Sequence, residues 1–207
     1  MALFGLKTKN SPTSQISENI ERFLCNYSIE VMPRTAEKIE NFRDILPKNT
    51  RVYIAHIEGT PIEDMVTTAK RLAEEGFPTM PHFPARIIKD KATLNEWISQ
   101  YQGEAGVDQA LILAGGVSKP HGEYESSMDL LETGLFDKAK FKNIHIAGHP
   151  EGNKDIDPDG DTKNIDSALN WKQNFKNKTD AKMAIATQFA FEARSIITWA
   201  NSIKNAG

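Results

Sequence analysis

The chain has 207 residues and a formal net charge of −3, from 25 basic and 28 acidic residues. That length is enough for one large domain with a substantial core. No basic stripe or block occurs, which argues against nucleic acid and anionic membranes as partners. The apolar stretches are strand-sized, far shorter than the roughly 20 residues of a transmembrane helix. With one cysteine, Cys25, and no apolar segment of signal-peptide length at the N-terminus, we expect a soluble cytoplasmic protein.

From the N-terminus, residues 1–25 are predicted to form a polar extension with a short helix, and residues 26–207 a larger domain in which strands and helices alternate. Short apolar or alternating segments that end in polar or glycine clusters predict strands at Asn26–Pro33, Arg51–Ile57, Thr79–Ala85, Gln109–Gly116, Asn143–Pro150 and Met183–Phe189. Apolar residues at helical spacing predict helices at Ser14–Leu24, Thr35–Leu46, Thr60–Glu75, Asp90–Gln102, Ser126–Thr133, Asp161–Phe175 and Glu192–Lys204.

Two of these helices carry specific expectations. Thr35–Leu46 places Ile39, Phe42, Ile45 and Leu46 on one face. Thr60–Glu75 begins with Thr60-Pro61 and has Glu63 at the spacing of a capping box.

A run of strand–helix pairs predicts a parallel α/β sheet, because each crossover helix returns the chain to the same end of the sheet. A (β/α)8 barrel of the TIM type typically needs about 250 residues. Six βα units therefore fit either an open doubly wound sheet or an incomplete barrel that lacks its last two strands. We favour the incomplete barrel, in which the loops after the strands would form the active site.

Glu30 is the strongest catalytic candidate, because it lies in an otherwise apolar strand. Burial there would desolvate the carboxylate, raise its pKa and suit it to act as a general acid. The alternative is a structural ion pair with Arg34 or Arg51.

Histidines occur in three of the predicted strands. His82 stands between Pro81 and Pro84 at a strand end, where a functional role and a structural one are equally supported. His56 is a weaker candidate of the same kind. His145 alternates with isoleucines, so we expect it to be packed or to face a helix.

Three other strand ends carry candidate binding residues. Ala114, Gly115 and Gly116 would let a flat or phosphorylated ligand approach the backbone closely. His149 and Glu151 place an imidazole and a carboxylate in one turn, and Lys172 follows on the next helix. The amide of Gln188 can both donate to and accept from the edge of a heterocycle.

Two groups of residues in the sequence have some features of a metal site. Convergence of Glu30, His56, His82 and His149 could bind zinc or iron, but none of them has close ligand spacing. The segment Asp155–Asp161 nearly fits a calcium loop, although a loop that caps the following helix explains it better. We therefore predict no metal.

Taken together, the strand ends resemble the methylenetetrahydrofolate reductase family. The matching pieces span most of the chain and are Ser28–Thr35, Pro81-His82, Leu113–Gly116, Ala147–Glu151, Lys172 and Thr187–Phe189. The resemblance implies a (β/α)8 barrel that uses FAD and NAD(P)H to reduce 5,10-methylenetetrahydrofolate to 5-methyltetrahydrofolate in one-carbon metabolism.

The resemblance also implies roles for individual residues. Glu30 would protonate the folate and open its five-membered ring to an iminium, and Gln188 would contact the folate. The residues lining the flavin site would be His82, Ala114, Gly115, Gly116, His149, Glu151 and Lys172.

The family usually carries Arg-Gly-Asp where this chain has Ala114-Gly115-Gly116. The alternatives are therefore a flavin-free folate-binding protein, which could lack catalytic activity, or a folate-dependent demethylation enzyme. A metal-dependent hydrolase on the same barrel is a further class. Self-association into a homo-oligomer and the choice between NADH and NADPH are left open.

Overall fold

The computed structural model describes residues 12–206, with side chains from Glu18 onward. The strands are β1 Ser28–Val31, β2 Arg51–Ile54, β3 Thr79–Pro84, β4 Gln109–Leu113, β5 Asn143–Gly148 and β6 Lys182–Thr187. The helices are α1 Pro12–Leu24, α2 Pro33–Ala36, α3 Ile62–Glu74, α4 Lys91–Ala105, α5 Ser127–Glu132, α6 Leu135–Lys138, α7 Lys163–Phe175 and α8 Ala193–Ala206. All six predicted strands are confirmed, and each ends one to three residues earlier than predicted. The predicted extension before Pro12 lies outside the described residues.

The strands form one parallel sheet in the order β1-β2-β3-β4-β5-β6. In a doubly wound sheet the strand order reverses at a switch point, which sends helices to both faces. Here every strand lies beside its predecessor, so right-handed crossovers place all the connecting helices on one face. The fold is therefore an α/β half-barrel, and the open doubly wound alternative is wrong.

Side-chain contacts on the other face show how strongly the sheet curls. The Tyr53 hydroxyl of β2 lies 2.6 Å from Nδ1 of His145 in β5. These strands are three positions apart, which in a flat sheet would separate them by about 14 Å. Only a curled sheet brings the two side chains together.

Alternation along the strands separates a convex face from a concave face. The convex face packs against the helices and supplies the core residues Val52, Ile54, Phe83, Ala110, Ile112, Ile144 and Ile146. The intervening residues point the other way, and we define the concave face by Glu30, Arg51, Tyr53, His82, Gln109, Leu111 and His145. The core thus lies between sheet and helices, and the polar side chains lie inside the curl.

The predicted helix Thr35–Leu46 is wrong. The chain forms only the short α2 and a 3-10 turn over Phe42–Asp44, and Ile45 is exposed. Arg71 of α3 explains the break, because its guanidinium donates to the carbonyls of Ala36, Ile39 and Glu40. Carbonyls satisfied from outside do not need a continuous helix.

The predicted capping box at Thr60 is also wrong. Helix α3 begins at Ile62, and Pro61 at its N-cap position makes no side-chain cap. The Thr60 carbonyl instead accepts from Nε2 of His56, 3.0 Å away. At the C-terminal end of α3, Gly76 follows the helix with a φ of +92°, a conformation typical of a glycine that terminates a helix.

The helices of residues 12–206 are at most 15 residues long. None of these helices combines the length and the apolar character needed to cross a bilayer.

Candidate functional site

Polar side chains bridge non-adjacent strands across the concave face. Glu30 of β1 and His82 of β3 approach to 3.2 Å between Oε2 and Nε2. Arg51 of β2 donates from Nε to Oε1 of Gln109 in β4, at 3.2 Å. With the Tyr53–His145 bond, these contacts line the inside of the curl with titratable and hydrogen-bonding groups.

The expectation that Glu30 is desolvated is wrong. Its side chain is 59% exposed, because β1 is an edge strand of the described sheet. The approach of His82 lowers the pKa of Glu30, and partial burial opposes this only in part. In the free protein Glu30 is therefore an exposed carboxylate that is ionised at neutral pH, and it is paired with His82 rather than with an arginine.

His82 is the member of this pair whose hydrogen-bonding capacity is not satisfied. It is 9% exposed, and within residues 18–206 its Nε2 makes no well-aligned hydrogen bond, since the approach of Glu30 is off the ideal direction. Leaving such a nitrogen buried without a partner is costly. A ligand that contacts Glu30 would also reach the edge of His82.

Tyr53 and His145 form the second polar pair. Burial and the nearby Arg51 lower the pKa of His145 to about 4, and burial raises that of Tyr53. His145 is thus neutral and the phenol protonated at pH 7, so the Tyr53 hydroxyl donates to Nδ1. His145 is packed, as expected, but it does not face a helix.

Sequence reasoning did not select Arg51 or Tyr53, although a signal was present. Both alternate with Val52 and Ile54, which are buried in the core. In a strand, every second side chain lies on the same face, so Arg51 and Tyr53 lie on the face opposite to these core residues. The same alternation places His145 on the concave face, whereas Ile144 and Ile146 lie on the convex face.

His56 lies on the helix side of the sheet. Its ring stacks on Trp97 of α4 at 4.8 Å, and its Nε2 donates to the Thr60 carbonyl. Burial lowers its pKa, so it is neutral, and Nδ1 lacks a partner among the described side chains and backbone. Because His56 faces α4, it does not lie on the concave face with His82 and Glu30. In the part of the chain that the structure describes, no cluster of three or more His, Cys, Asp or Glu could hold a metal ion.

The loop after β4 is held by Arg86. Its guanidinium donates to the carbonyls of Val117 and Glu125, and its backbone N–H donates to Ala114. Gly115 has a φ of +95°, and a Cβ there would stand 3.0 Å from that of Pro84. A Cβ at Gly116 would meet nothing within 4 Å. Gly115 is therefore needed for the turn, whereas Gly116 leaves open space beside it.

Three of the predicted residues meet at the carboxyl ends of β5 and β6. A cavity of 360 Å³, which we call the β5–β6 cavity, is lined by His149, Glu151, Gln188 and the loop between Pro150 and Asp155. Burial lowers the pKa of His149, and Lys172 adds to the shift. The cavity therefore presents a neutral imidazole and an amide.

Glu151 and Gln188 are also engaged with the protein. Glu151 Oε1 accepts from the backbone N–H groups of Phe191 and Glu192, just before α8. The side-chain Oε1 of Gln188 accepts from Nδ2 of Asn153 at 3.3 Å, which leaves the side-chain NH₂ group of Gln188 for other acceptors. Glu151 thus positions α8 and is not a free carboxylate, while Gln188 can still donate to a ligand.

Lys172 does not join these residues. It lies on α7 and lines a separate cavity with convex-face side chains such as Ile146 and Ile185. The seven residues predicted to line a flavin site therefore do not form one surface.

The acidic segment after β5 caps a helix, as the sequence favours. Asp157 is 2% exposed and accepts from the backbone N–H groups of Asn164 and Ile165 at the start of α7. Both carboxylate oxygens are used in this way, which satisfies two N–H groups that have no partner within the helix.

No protein-family model matches the chain. An ionised carboxylate beside a buried imidazole can accept and return a proton, and the β5–β6 cavity can bind a heterocycle through an amide and an imidazole.

Proposed function

We propose that the protein is a methylenetetrahydrofolate reductase-like oxidoreductase, and that its half-barrel is six units of an incomplete (β/α)8 barrel. It would bind tetrahydrofolate at the carboxyl ends of the strands and reduce the 5,10-methylene derivative with NAD(P)H. The pairing of Glu30 with His82 carries this proposal. It brings the predicted acid and a predicted binding residue from β1 and β3 to within 3.2 Å, on the face that would receive the substrate.

In this proposal, the bound substrate converts the exposed Glu30 carboxylate into an acid. Folate that covers Glu30 would remove water from it and raise its pKa, so that the carboxylate takes up a proton. The carboxylate takes up that proton from water as the substrate binds, and Nε2 of His82 lies 3.2 Å away. Glu30 then protonates a ring nitrogen of the folate, and the C–N bond to the methylene group breaks to leave an iminium. NAD(P)H, when bound, would supply the hydride that converts this carbon to the methyl group, and would leave as NAD(P)⁺.

Gln188 would bind the heterocycle through the NH₂ group that Asn153 leaves free. His149, in the same β5–β6 cavity, would supply a neutral imidazole. Both residues follow strands of the sheet that carries Glu30 and His82, so one elongated ligand could contact both regions.

The fit to FAD is poorer than the fit to folate. The open space at Gly116 would admit a flat ring, but no charged side chain stands at Ala114–Gly116. The Arg86 guanidinium already donates to carbonyls of the loop after β4, and Glu151 accepts from backbone N–H groups just before α8. Lys172 lines another cavity. FAD binding stays a prediction, and no step above depends on it.

Substitution of Glu30 tests the proposal directly. We expect Glu30→Gln to lower NAD(P)H-dependent formation of 5-methyltetrahydrofolate by about 100-fold or more, the usual size of a lost acid–base group, and to leave the tetrahydrofolate Kd nearly unchanged. Turnover is measured by product quantification and binding by calorimetry.

Glu58→Gln is the matched control. Glu58 pairs with His121 at 2.9 Å, and its side chain is 58% exposed, almost as much as that of Glu30. The control should retain full turnover. Loss of folate binding in Glu30→Gln, with intact turnover per bound folate, would sink the assignment of Glu30 as the acid.

One observation favours a folate-binding protein without reductase activity. Lys172, one of the residues predicted for FAD, lines a separate cavity, so a reductase that needs flavin would lack part of its site. Tetrahydrofolate binding with no product formed from NADH or NADPH would select this second function.

A further inference from the structure

A second cavity lies on the convex side of the sheet. Its volume is 520 Å³, and it is lined by residues of α7, α8, β5 and β6. The apolar side chains that line it are Ile146, Leu169, Met183, Ile185 and Ile203. Small-molecule sites are typically cavities of about 300–1,000 Å³ with mainly apolar walls and a few polar groups. This cavity meets that description and is separated from the concave face by the sheet.

Lys172 supplies its buried cation. The residue is 7% exposed, and within residues 18–206 its ammonium has no ion pair and no hydrogen bond. Burial lowers the pKa of Lys172 to about 8, so the amine is mostly protonated at pH 7. A buried charge without a counter-ion is unfavourable, and an anion that enters the cavity would relieve it.

The other polar groups of the wall do not neutralise this cation. Asp166 of α7 lines the cavity, but its carboxylate accepts from the Thr162 hydroxyl at 2.8 Å and makes no ion pair with Lys172. From α8 the cavity receives Ser202, whose hydroxyl donates to the Trp199 carbonyl. The residues contributed by β5 and β6 are uncharged, and α7 and its C-cap add Asn170, Gln173 and a second cation, Lys176, so the wall carries more positive than negative charge.

We propose that this cavity binds an amphipathic monocarboxylate, with the hydrocarbon tail against the apolar wall and the carboxylate on the Lys172 ammonium. A linear tail fits better than a highly polar ligand, because five large apolar side chains form the wall. This site goes beyond the proposed folate function, and it uses none of the concave-face residues.

Calorimetric titration of the full chain with decanoate tests the proposal, with decyltrimethylammonium as a ligand of similar tail and opposite charge. We expect one decanoate site per chain, an affinity about tenfold or more above that of the cationic ligand, and a similar loss in Lys172→Met. Lys178→Met is the control, because Lys178 is exposed near the end of the same helix and does not line the cavity.

Ser202→Trp is a second variant, which fills the cavity from the exposed side of α8 without altering Lys172. It should also abolish decanoate binding. Equal affinity for the two ligands, unchanged binding in Lys172→Met, or unchanged binding in Ser202→Trp would each overturn the proposal.

Discussion

Lys172 should destabilise the protein in the absence of a ligand. Burial lowers its pKa from the usual 10.5 to about 8. One pKa unit is worth about 1.4 kcal/mol, so holding the charged form in the folded state costs about 3 kcal/mol at pH 7. Methionine retains the apolar length of the side chain and removes the charge. We therefore expect Lys172→Met to raise the free energy of unfolding by about 3 kcal/mol at pH 7.

The pH dependence of this gain has a definite sign. Below pH 8 the lysine is protonated in both states and the full cost is present. Between pH 8 and 10.5 the unfolded chain binds more protons than the folded protein, so the wild type gains stability as the pH rises. Lys172→Met lacks this gain, and its advantage should shrink toward zero near pH 10.5.

Urea unfolding of both proteins across this pH range gives the difference, and titrations of all other groups cancel in it. Lys178→Met should stay within about 0.5 kcal/mol of the wild type, as expected for an exposed position. A Lys172→Met variant that is no more stable at pH 7, or whose advantage does not change with pH, would refute the reasoning about the buried charge.

Three further predictions concern the fold around the site. Tyr53→Phe leaves Nδ1 of buried His145 without its donor and should cost about 1–3 kcal/mol in urea unfolding, whereas an unchanged midpoint would show that water replaces the hydroxyl. A Cβ at Gly148 would stand 2.8 Å from the ring of Trp199, so Gly148→Ala should lower stability by about 1–3 kcal/mol and shift the Trp199 fluorescence, and an unaltered spectrum would contradict this packing. Asp157→Ala removes both acceptors at the start of α7 and should lower stability by about 1–2 kcal/mol, measured by thermal unfolding. A smaller loss in Asp157→Asn would support the capping role, and no loss in either variant would exclude it.

The regular part of this fold was open to prediction from sequence. Strand segments and their order follow from short apolar runs that alternate with helical patterns, and each is a local property of the chain. The helix predicted at Thr35–Leu46 failed because Arg71, more than 30 residues away, satisfies its carbonyls. A contact of that range leaves no trace in local periodicity.

The candidate site was predictable only where it depends on strand ends. His149 and Gln188 meet because parallel strands end at the same edge of the sheet. The state of Glu30 was not predictable, because an apolar strand sequence does not tell whether the strand lies at an edge. Its exposure and its pairing with His82 depend on the curl of the sheet, which brings β1 and β3 together.

The position of Lys172 shows the same limit. Its place on a helix was predicted, but whether a helical lysine faces solvent, a cofactor or a cavity depends on how α7 and α8 pack on the sheet. The loop geometry at Gly115 also depends on a contact, with Pro84 of β3.

The central claim is that the concave face processes folate with Glu30 as the acid. The most direct measurement is product analysis after incubation of the purified protein with 5,10-methylenetetrahydrofolate and NADH or NADPH, with and without added FAD. The account predicts 5-methyltetrahydrofolate in proportion to the reduced nicotinamide consumed, and its loss in Glu30→Gln but not in Glu58→Gln. Absence of both product and tetrahydrofolate binding in the wild type would contradict it.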